Sequence, residues 1–303
     1  MNMKKLNPLL AAILLGGALA LPAPAALAAG QQSFATPEAA MEAFGTAVID
    51  GDEAALRAMF GANFRQLIPP VGAELRYEFI EAWAKSHKIE TDGDRRARIA
   101  AGLKDWTLPI PLEKTAAGWR FDMKAGMDEI AIREIGRNEL SAIQVANAYA
   151  DAQREYFVKD RNGDGVPEYA QKFASSPGKM DGLYWPATAN EELSPLGRRL
   201  ADAAAEKGRK PGTYHGYSYR ILTAQGPDAP GGARSYIADG RMTGGFGLLA
   251  WPASYGKSGI MSFMINQDGQ VYEKNLGSNT AAQAARVVSF NPDASWRKVS
   301  DNP

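Results

Sequence analysis

Side-chain oxygens recur at every second position in Asp160-Arg-Asn-Gly-Asp-Gly165. Asp160, Asn162 and Asp164 supply side-chain ligands at loop positions one, three and five, and Gly165 allows the turn at six. Val166 offers a backbone carbonyl at seven and Glu168 a carboxylate near nine, which together give the spacing of a calcium loop. Calcium is therefore the one cofactor the chain suggests. Position twelve is Gln171 rather than a bidentate glutamate, so the expected affinity falls toward the millimolar range of extracellular modules. The same residues suit a turn closed by Asx hydrogen bonds with no ion at all.

Aromatic side chains gather downstream. Tyr184 and Trp185 lie in Asp181-Gly-Leu-Tyr-Trp-Pro186, and His215 stands among Tyr214, Tyr217 and Tyr219, with Arg220 following. Strand alternation would put His215, Tyr217 and Tyr219 on one face. With Tyr184 and Trp185 they form a candidate ligand-binding set for a sugar or a peptide, and the same pattern suits a half-buried strand. Candidate acids and bases are Asp164, Glu168 and Asp181 here, and Glu81, His87, Glu90 and Asp122 in the first half. His87, in Lys85-Ser-His-Lys88, equally suits a solvated helix end.

Other chemistries fail on residue count or spacing. The chain has no cysteine and only His87 and His215, which excludes thiol nucleophiles, thiolate zinc sites and multi-histidine metal centres. Ser218, in Gly216-Tyr-Ser-Tyr-Arg220, lacks the second glycine of a nucleophile elbow. Gly256-Lys-Ser258 has Trp251 where a phosphate loop needs glycine. Gly244-Gly-Phe-Gly247 is no dinucleotide fingerprint.

The first residues read as an address. Lys4 and Lys5, the apolar run Leu9 to Leu21, and Ala26-Leu27-Ala28 have the order of a secretory signal peptide, with cleavage expected after Ala28. The apolar run is shorter than the roughly 20 residues that cross a bilayer, so no stable membrane insertion is expected after cleavage. Removal of residues 1–28 leaves 32 basic against 34 acidic residues, a balance that gives no reason to expect nucleic acid as partner. A periplasmic or secreted protein without cysteine must fold on its core alone.

The elements that carry these residues fall into two parts. Thr36-Pro37-Glu38 opens a helix ended by Asp50-Gly51-Asp52, a second short helix carries Leu56, Met59 and Phe60, and Tyr77, Ile80 and Trp83 mark a third. Trp106 to Leu112 and Gly118 to Asp122 read as two strands of a hairpin. Two helices with a Gly-Asp turn, a third helix, and strands ending in Gly-Trp-Arg-Phe resemble nuclear-transport-factor-2-like domains from about Phe34 to Ala125. That resemblance implies a curved sheet closed by helices around a pocket. A joint is expected between Ala125 and Arg137, flanked by Gly126 and Gly136.

In the second part Asn138 is the expected N-cap of a long helix with Leu140, Ile143, Ala146, Ala150, Gln153 and Phe157 on one face. After the acidic loop come a short helix through Leu200 and Ala204, then strands at Tyr217 to Thr223, Ser235 to Ile237, Gly245 to Trp251, Ile260 to Asn266 and Val271 to Glu273. A polar, frayed tail after Asn291 closes the chain. From about Asn138 to Leu276 this order resembles the soluble part of pseudopilins, without their membrane helix.

Three long stretches, Gly-Lys-Met-Asp-Gly-Leu-Tyr-Trp-Pro (178–186), Tyr-His-Gly-Tyr-Ser-Tyr-Arg-Ile-Leu-Thr-Ala-Gln-Gly (214–226) and Trp-Pro-Ala-Ser-Tyr-Gly-Lys-Ser-Gly-Ile-Met-Ser-Phe (251–263), resemble secreted bacterial proteins of domain-of-unknown-function family 2950. The resemblance covers nearly the whole mature chain and brings no catalytic residues with it. The expected class is α+β, with a signal peptide (1–28), a small helix-plus-curved-sheet domain (29–127), a pilin-like long helix packed on an antiparallel sheet (128–290) and a tail (291–303). The expected function is a non-enzymatic envelope module that binds a protein, peptide or glycan. The alternative is a carboxylate-dependent hydrolase or isomerase.

Overall fold

The computed structural model describes residues 31–300 apart from 63, 105, 188–191 and 198–212, and of Gln66 only the backbone. The expected leader, and the short helix through Leu200 and Ala204, lie outside the described residues. The fold is α+β, and the chain divides into two compact units between Met123 and Lys124. Among the described residues no helix is long and apolar enough to cross a membrane.

In the first unit, helix α1 (Pro37–Asp50) starts where Thr36 Oγ1 accepts the Ala39 N–H at 3.1 Å, and it stops at Gly51, which takes the left-handed conformation with φ 75°. Asp52 then caps α2 (Glu53–Phe60) by accepting from the N–H groups of Ala54 and Ala55. Helix α3 (Glu74–Lys85) leads into an antiparallel sheet of β1 (His87–Asp92), β2 (Arg96–Ala101), β3 (Trp106–Thr107), β4 (Leu112–Thr115) and β5 (Gly118–Phe121). The strand order is β1-β2-β4-β5, with β3 also paired to β2. The expected strand from Trp106 to Leu112 is thus two strands, because Pro109 and Pro111 cannot donate to a ladder.

Helices and sheet meet through aromatic rings. Phe44 packs edge-on against Phe60, Phe79 and Trp83, and Phe60 lies 4.6 Å from Phe121 between ring centroids. Gly45 is obligatory beneath Trp83, since a Cβ there would stand 2.6 Å from the indole Cε2. Arg76 is buried at a position the helical pattern leaves polar, and its guanidinium donates to the carbonyls of Val48 and Pro69 near the end of α1.

All but the first residue of α4 (Met123–Phe157) belongs to the second unit, and the helix starts well before the expected N-cap at Asn138. Gly126 and Gly136 are helical and the expected joint between Ala125 and Arg137 lies within the helix, where pairs such as Lys124–Asp128 and Arg133–Glu129 offset the low propensity of glycine. The sheet is a meander ordered β14-β13-β12-β11-β6, made of β6 (Tyr217–Leu222), β11 (Gly247–Pro252), β12 (Met261–Asn266), β13 (Tyr272–Asn275) and β14 (Arg297–Lys298). Short pairs β7 (Ala224–Gln225) with β8 (Arg234–Ser235), and β9 (Ile237–Ala238) with β10 (Arg241–Met242), flank it. The expected frayed tail instead adds β14 at the edge, where Arg297 donates to Glu273 and the Val299 N–H to the Val271 carbonyl.

Both faces of this sheet are covered. The C-terminal half of α4 packs on one, where Tyr149 is fully buried and donates to the Gly247 carbonyl at 3.1 Å. On the other, Leu249, Met264 and Tyr272 meet Ala284 of α5 (Thr280–Arg286) and Phe290. Arg220 reaches from β6 to the carbonyls of Ala284 and Val287 at the C-terminal end of α5, where a cation complements the helix dipole.

Candidate functional site

The acidic loop is built as a ladder of side-chain to backbone bonds. Asp160 accepts from the N–H of Gly163 at 2.8 Å and of Gly165 at 2.6 Å, Asn162 Oδ1 from Asp164, and Asp164 Oδ1 from Val166. The Gly165 N–H, with further backbone donors of the loop, holds Asp160 below the usual carboxylate range. Gly163 and Gly165 both have positive φ, which makes this tight path cheap. The oxygens expected to meet calcium are thus spent partly on the turn. Asp164 Oδ2 also pairs with Arg241 of β10 at 2.5 Å, and Glu168 accepts from Asn162 at 3.1 Å. Gln171, at position twelve, turns away to the Gly240 carbonyl. Among the described residues no group of three or more acidic or histidine side chains converges to hold a metal ion.

Arg161, inside the same loop, points inward. Its side chain is only 7% exposed and lies between the rings of Tyr156 and Trp185, with its guanidinium carbon 4.5 and 5.5 Å from their centroids. It donates to the Tyr156 carbonyl and to Glu192, whose carboxylate is drawn below its usual range by Lys159, with Arg161 adding to the effect. Burial pushes the Tyr156 phenol up to about 12, and its hydroxyl donates to the Met180 carbonyl. Trp185 is 4% exposed and its indole N–H donates to the Glu192 carbonyl. Tyr184, half-buried, holds Phe173 and Ser175 through its backbone.

Between these contacts residues 172–184 close on themselves: Leu183 N–H donates to Lys172, Tyr184 N–H to Phe173 and Ser175 N–H to Tyr184. Asp181 braces the loop, accepting from the Ser176 N–H and hydroxyl and from Lys172 at 2.7 Å. Burial opposes its ionisation, but the Lys172 ammonium and the Ser176 donors outweigh that and lower its pKa to about 2. Gly182 is required, because a Cβ would lie 2.7 Å from the Ala174 carbonyl carbon.

The expected aromatic groove on β6 is not presented to solvent. Tyr217 and Tyr219 are 0% and 2% exposed, their hydroxyls donate to the carbonyls of Met261 and Tyr214, and burial pushes both phenols up. His215 does not share their strand: the Tyr214–Tyr217 bonds close a two-residue turn in which His215 has φ 50° and Gly216 φ 73°. His215 is exposed there, edge-on to Tyr214. Of the five aromatic candidates, Trp185, Tyr217 and Tyr219 are therefore core, Tyr184 is half-buried and only His215 lies open.

This turn sits beside the loop after β11. Asn138 donates to the Ser258 carbonyl at 3.0 Å, Glu139 accepts from the N–H groups of Ile260 and Met261, and a Cβ on Gly216 would stand 2.8 Å from that of Ser258. Two of the three long sequence motifs thus meet in close backbone packing. In the first unit Glu81 pairs with Lys85 in solvent, Glu90 lies near Lys88, the Asp122 N–H donates to the Pro111 carbonyl, and His87 stacks flat on Trp83 with Nδ1 at the Trp83 carbonyl and Nε2 3.6 Å from Glu42. Arg161, Lys172, Glu192 and Arg241 were not singled out from the sequence. An arginine at position two of an acidic loop is the one local signal that marked any of them.

Residues 31–299 match the family described as Protein of unknown function (DUF2950), and the chain belongs to that family. No curated protein and no solved structure matches it. The likeness of the two halves to nuclear-transport-factor-2-like domains and to pseudopilins accordingly rests on the sequence pattern alone.

Proposed function

We propose that this is an exported envelope protein that acts as a non-enzymatic binding module for a protein, peptide or glycan. Its contact surface is the segment 158–187, with the exposed His215 turn as a second element. The observation that carries this reading is the use to which the carboxylates are put. Asp160 braces a turn, Asp164 pairs with Arg241, Asp181 with Lys172, Glu192 with Lys159 and Arg161, and Glu139 holds two backbone N–H groups. A hydrolase or isomerase would need two carboxylates, or His215 and a carboxylate, converging on one cleft. These groups instead order a long irregular segment on a rigid core, an arrangement suited to recognition.

Export is supported by Lys4 and Lys5, the run Leu9 to Leu21 and Ala26-Leu27-Ala28. N-terminal sequencing of the mature chain should begin at Ala29 or within a residue or two, and recovery of the full-length chain from the cytoplasm would refute it. Binding is tested by capture from envelope extract with the parent protein and with Glu168→Lys and Lys179→Glu, checked for unchanged melting. A partner retained by the parent and lost by the charge reversals supports the surface. A captured set that both variants retain in full removes it.

A further inference from the structure

In the first unit a cleft of about 540 Å³ opens at the β1–β2 turn, lined by Asp92, Asp94, Arg95, Arg96, Glu113 and Lys114. Its frame is rigid. Gly93 takes φ 66° in the turn, and the Arg95 carbonyl accepts the Lys114 N–H at 2.9 Å, which ties the turn to β4. Across the sheet Asp92 is paired in register with Arg96, Arg96 with Glu113 and Glu113 with Arg120. Only the last of these makes a bonded ion pair, with Arg120 Nε 2.8 Å from Glu113 Oε1.

Glu113 is therefore neutralised from the far side. Among the described residues the side chains of Asp92, Asp94, Arg95 and Arg96 make no hydrogen bond or ion pair, although acids and bases stand within one turn of each other. Lys114 is paired in register with Trp119, whose ring lies 6.0 Å from its ammonium, and so stands on the opposite face from Arg96 and Glu113. An all-anionic ligand would meet the two aspartates, and an all-cationic one the two arginines. A ligand with one charge of each sign satisfies both sets.

We propose that this cleft binds a small zwitterion, specifically a short peptide with free ends, whose ammonium meets Asp92 and Asp94 and whose carboxylate meets Arg95 and Arg96. The spacing fits. Asp92 stands opposite Arg96 across β1 and β2, one strand spacing or roughly 5 Å apart at the backbone, and the long arginine side chains extend the reach between the two signs. A dipeptide at roughly 3.5 Å per residue spans about 7 Å between its charged ends. A guanidinium fork also matches a terminal carboxylate in shape.

The test is a nuclear magnetic resonance titration of the full chain with alanyl-alanine, its N-acetylated and C-amidated forms, and free alanine. The expected result is saturable movement of the Gly93, Asp94 and Lys114 amides with millimolar affinity. Each capped form should bind about tenfold more weakly or worse, as expected for loss of one charged contact. Free alanine, too short to bridge the two sets, should also bind more weakly. Asp94→Asn and Arg96→Gln, both at exposed positions, should reproduce the N-acetyl and C-amide losses respectively with otherwise unchanged spectra. Absence of saturable shifts at these amides, equal binding of capped and free dipeptides, or insensitivity to both substitutions overturns the proposal. Equal binding of alanine would assign the cleft to free amino acids and overturn the peptide.

Discussion

Arg241 and Asp164 lie 77 positions apart in the chain and meet at 2.5 Å, so the ligand at loop position five already holds a cation. A calcium ion entering the loop must displace that guanidinium. Melting with millimolar calcium and with chelator should therefore differ more in Arg241→Gln than in the parent. The expected gain is on the order of 1–2 kcal/mol at calcium several-fold to tens-fold above its Kd. Asp164→Asn should abolish the shift in either background. Identical melting with calcium and chelator in both the parent and Arg241→Gln would assign the loop to its Asx turns alone.

Gly259 packs directly on the ring of Tyr217, leaving no room for a Cβ beside the phenol oxygen. The ring cannot withdraw, because it is fully buried and its hydroxyl donates to Met261 at 2.8 Å. Gly259→Ala should destabilise the second unit by about 1–3 kcal/mol, the usual range for overpacking. Urea denaturation measures it, and an unchanged midpoint would show that the two segments yield.

Asp181 makes stability depend on acid. Its folded pKa, about 2, lies below the ordinary carboxylate value, so its contribution is complete above that ordinary value and is lost as pH falls toward 2. Because the side chain is 36% exposed, solvent screening limits the contribution to about 1 kcal/mol. Asp181→Asn should lower stability at neutral pH and flatten the fall between pH 4 and 2. Parallel pH profiles for the two proteins would contradict this.

The two units have separate cores, one around Phe44, Phe60 and Phe121 and the other around Tyr149, Tyr217 and Phe246. Fragments 29–123 and 124–303 should each unfold cooperatively in urea. If neither does so alone, the cores are not independent.

What could be foreseen depended on whether the deciding contact was local. The start and stop of α1 were legible, because Thr36, Pro37 and Gly51 act within a few residues of themselves. The Asx alternative for the acidic loop was legible for the same reason. The start of α4 was not: Gly126 and Gly136 carry the local mark of a break, yet both are helical and Gly126 is buried. The aromatic groove misled for another reason. Alternation identifies a wet face only where one exists, and β6 is covered by α4 on one side and α5 with its flanking segment on the other. Trp185 lies inside, packed in the core and against the guanidinium of Arg161, 24 residues earlier, a contact no local pattern shows.

The self-closed loop 172–184 has a practical corollary. Its stem is fastened by Lys172, Phe173 and Tyr184, whereas the tip at Gly178 has φ 74° and open space around it. The ends are already held together, so lengthening the tip adds only the slow logarithmic rise of loop entropy, about 0.6 kcal/mol for each doubling. Gly178 is thus a natural port for grafting: an epitope tag or fluorophore acceptor inserted there would travel with the folded protein, fixed at both ends, and would report on its whereabouts without occupying either terminus.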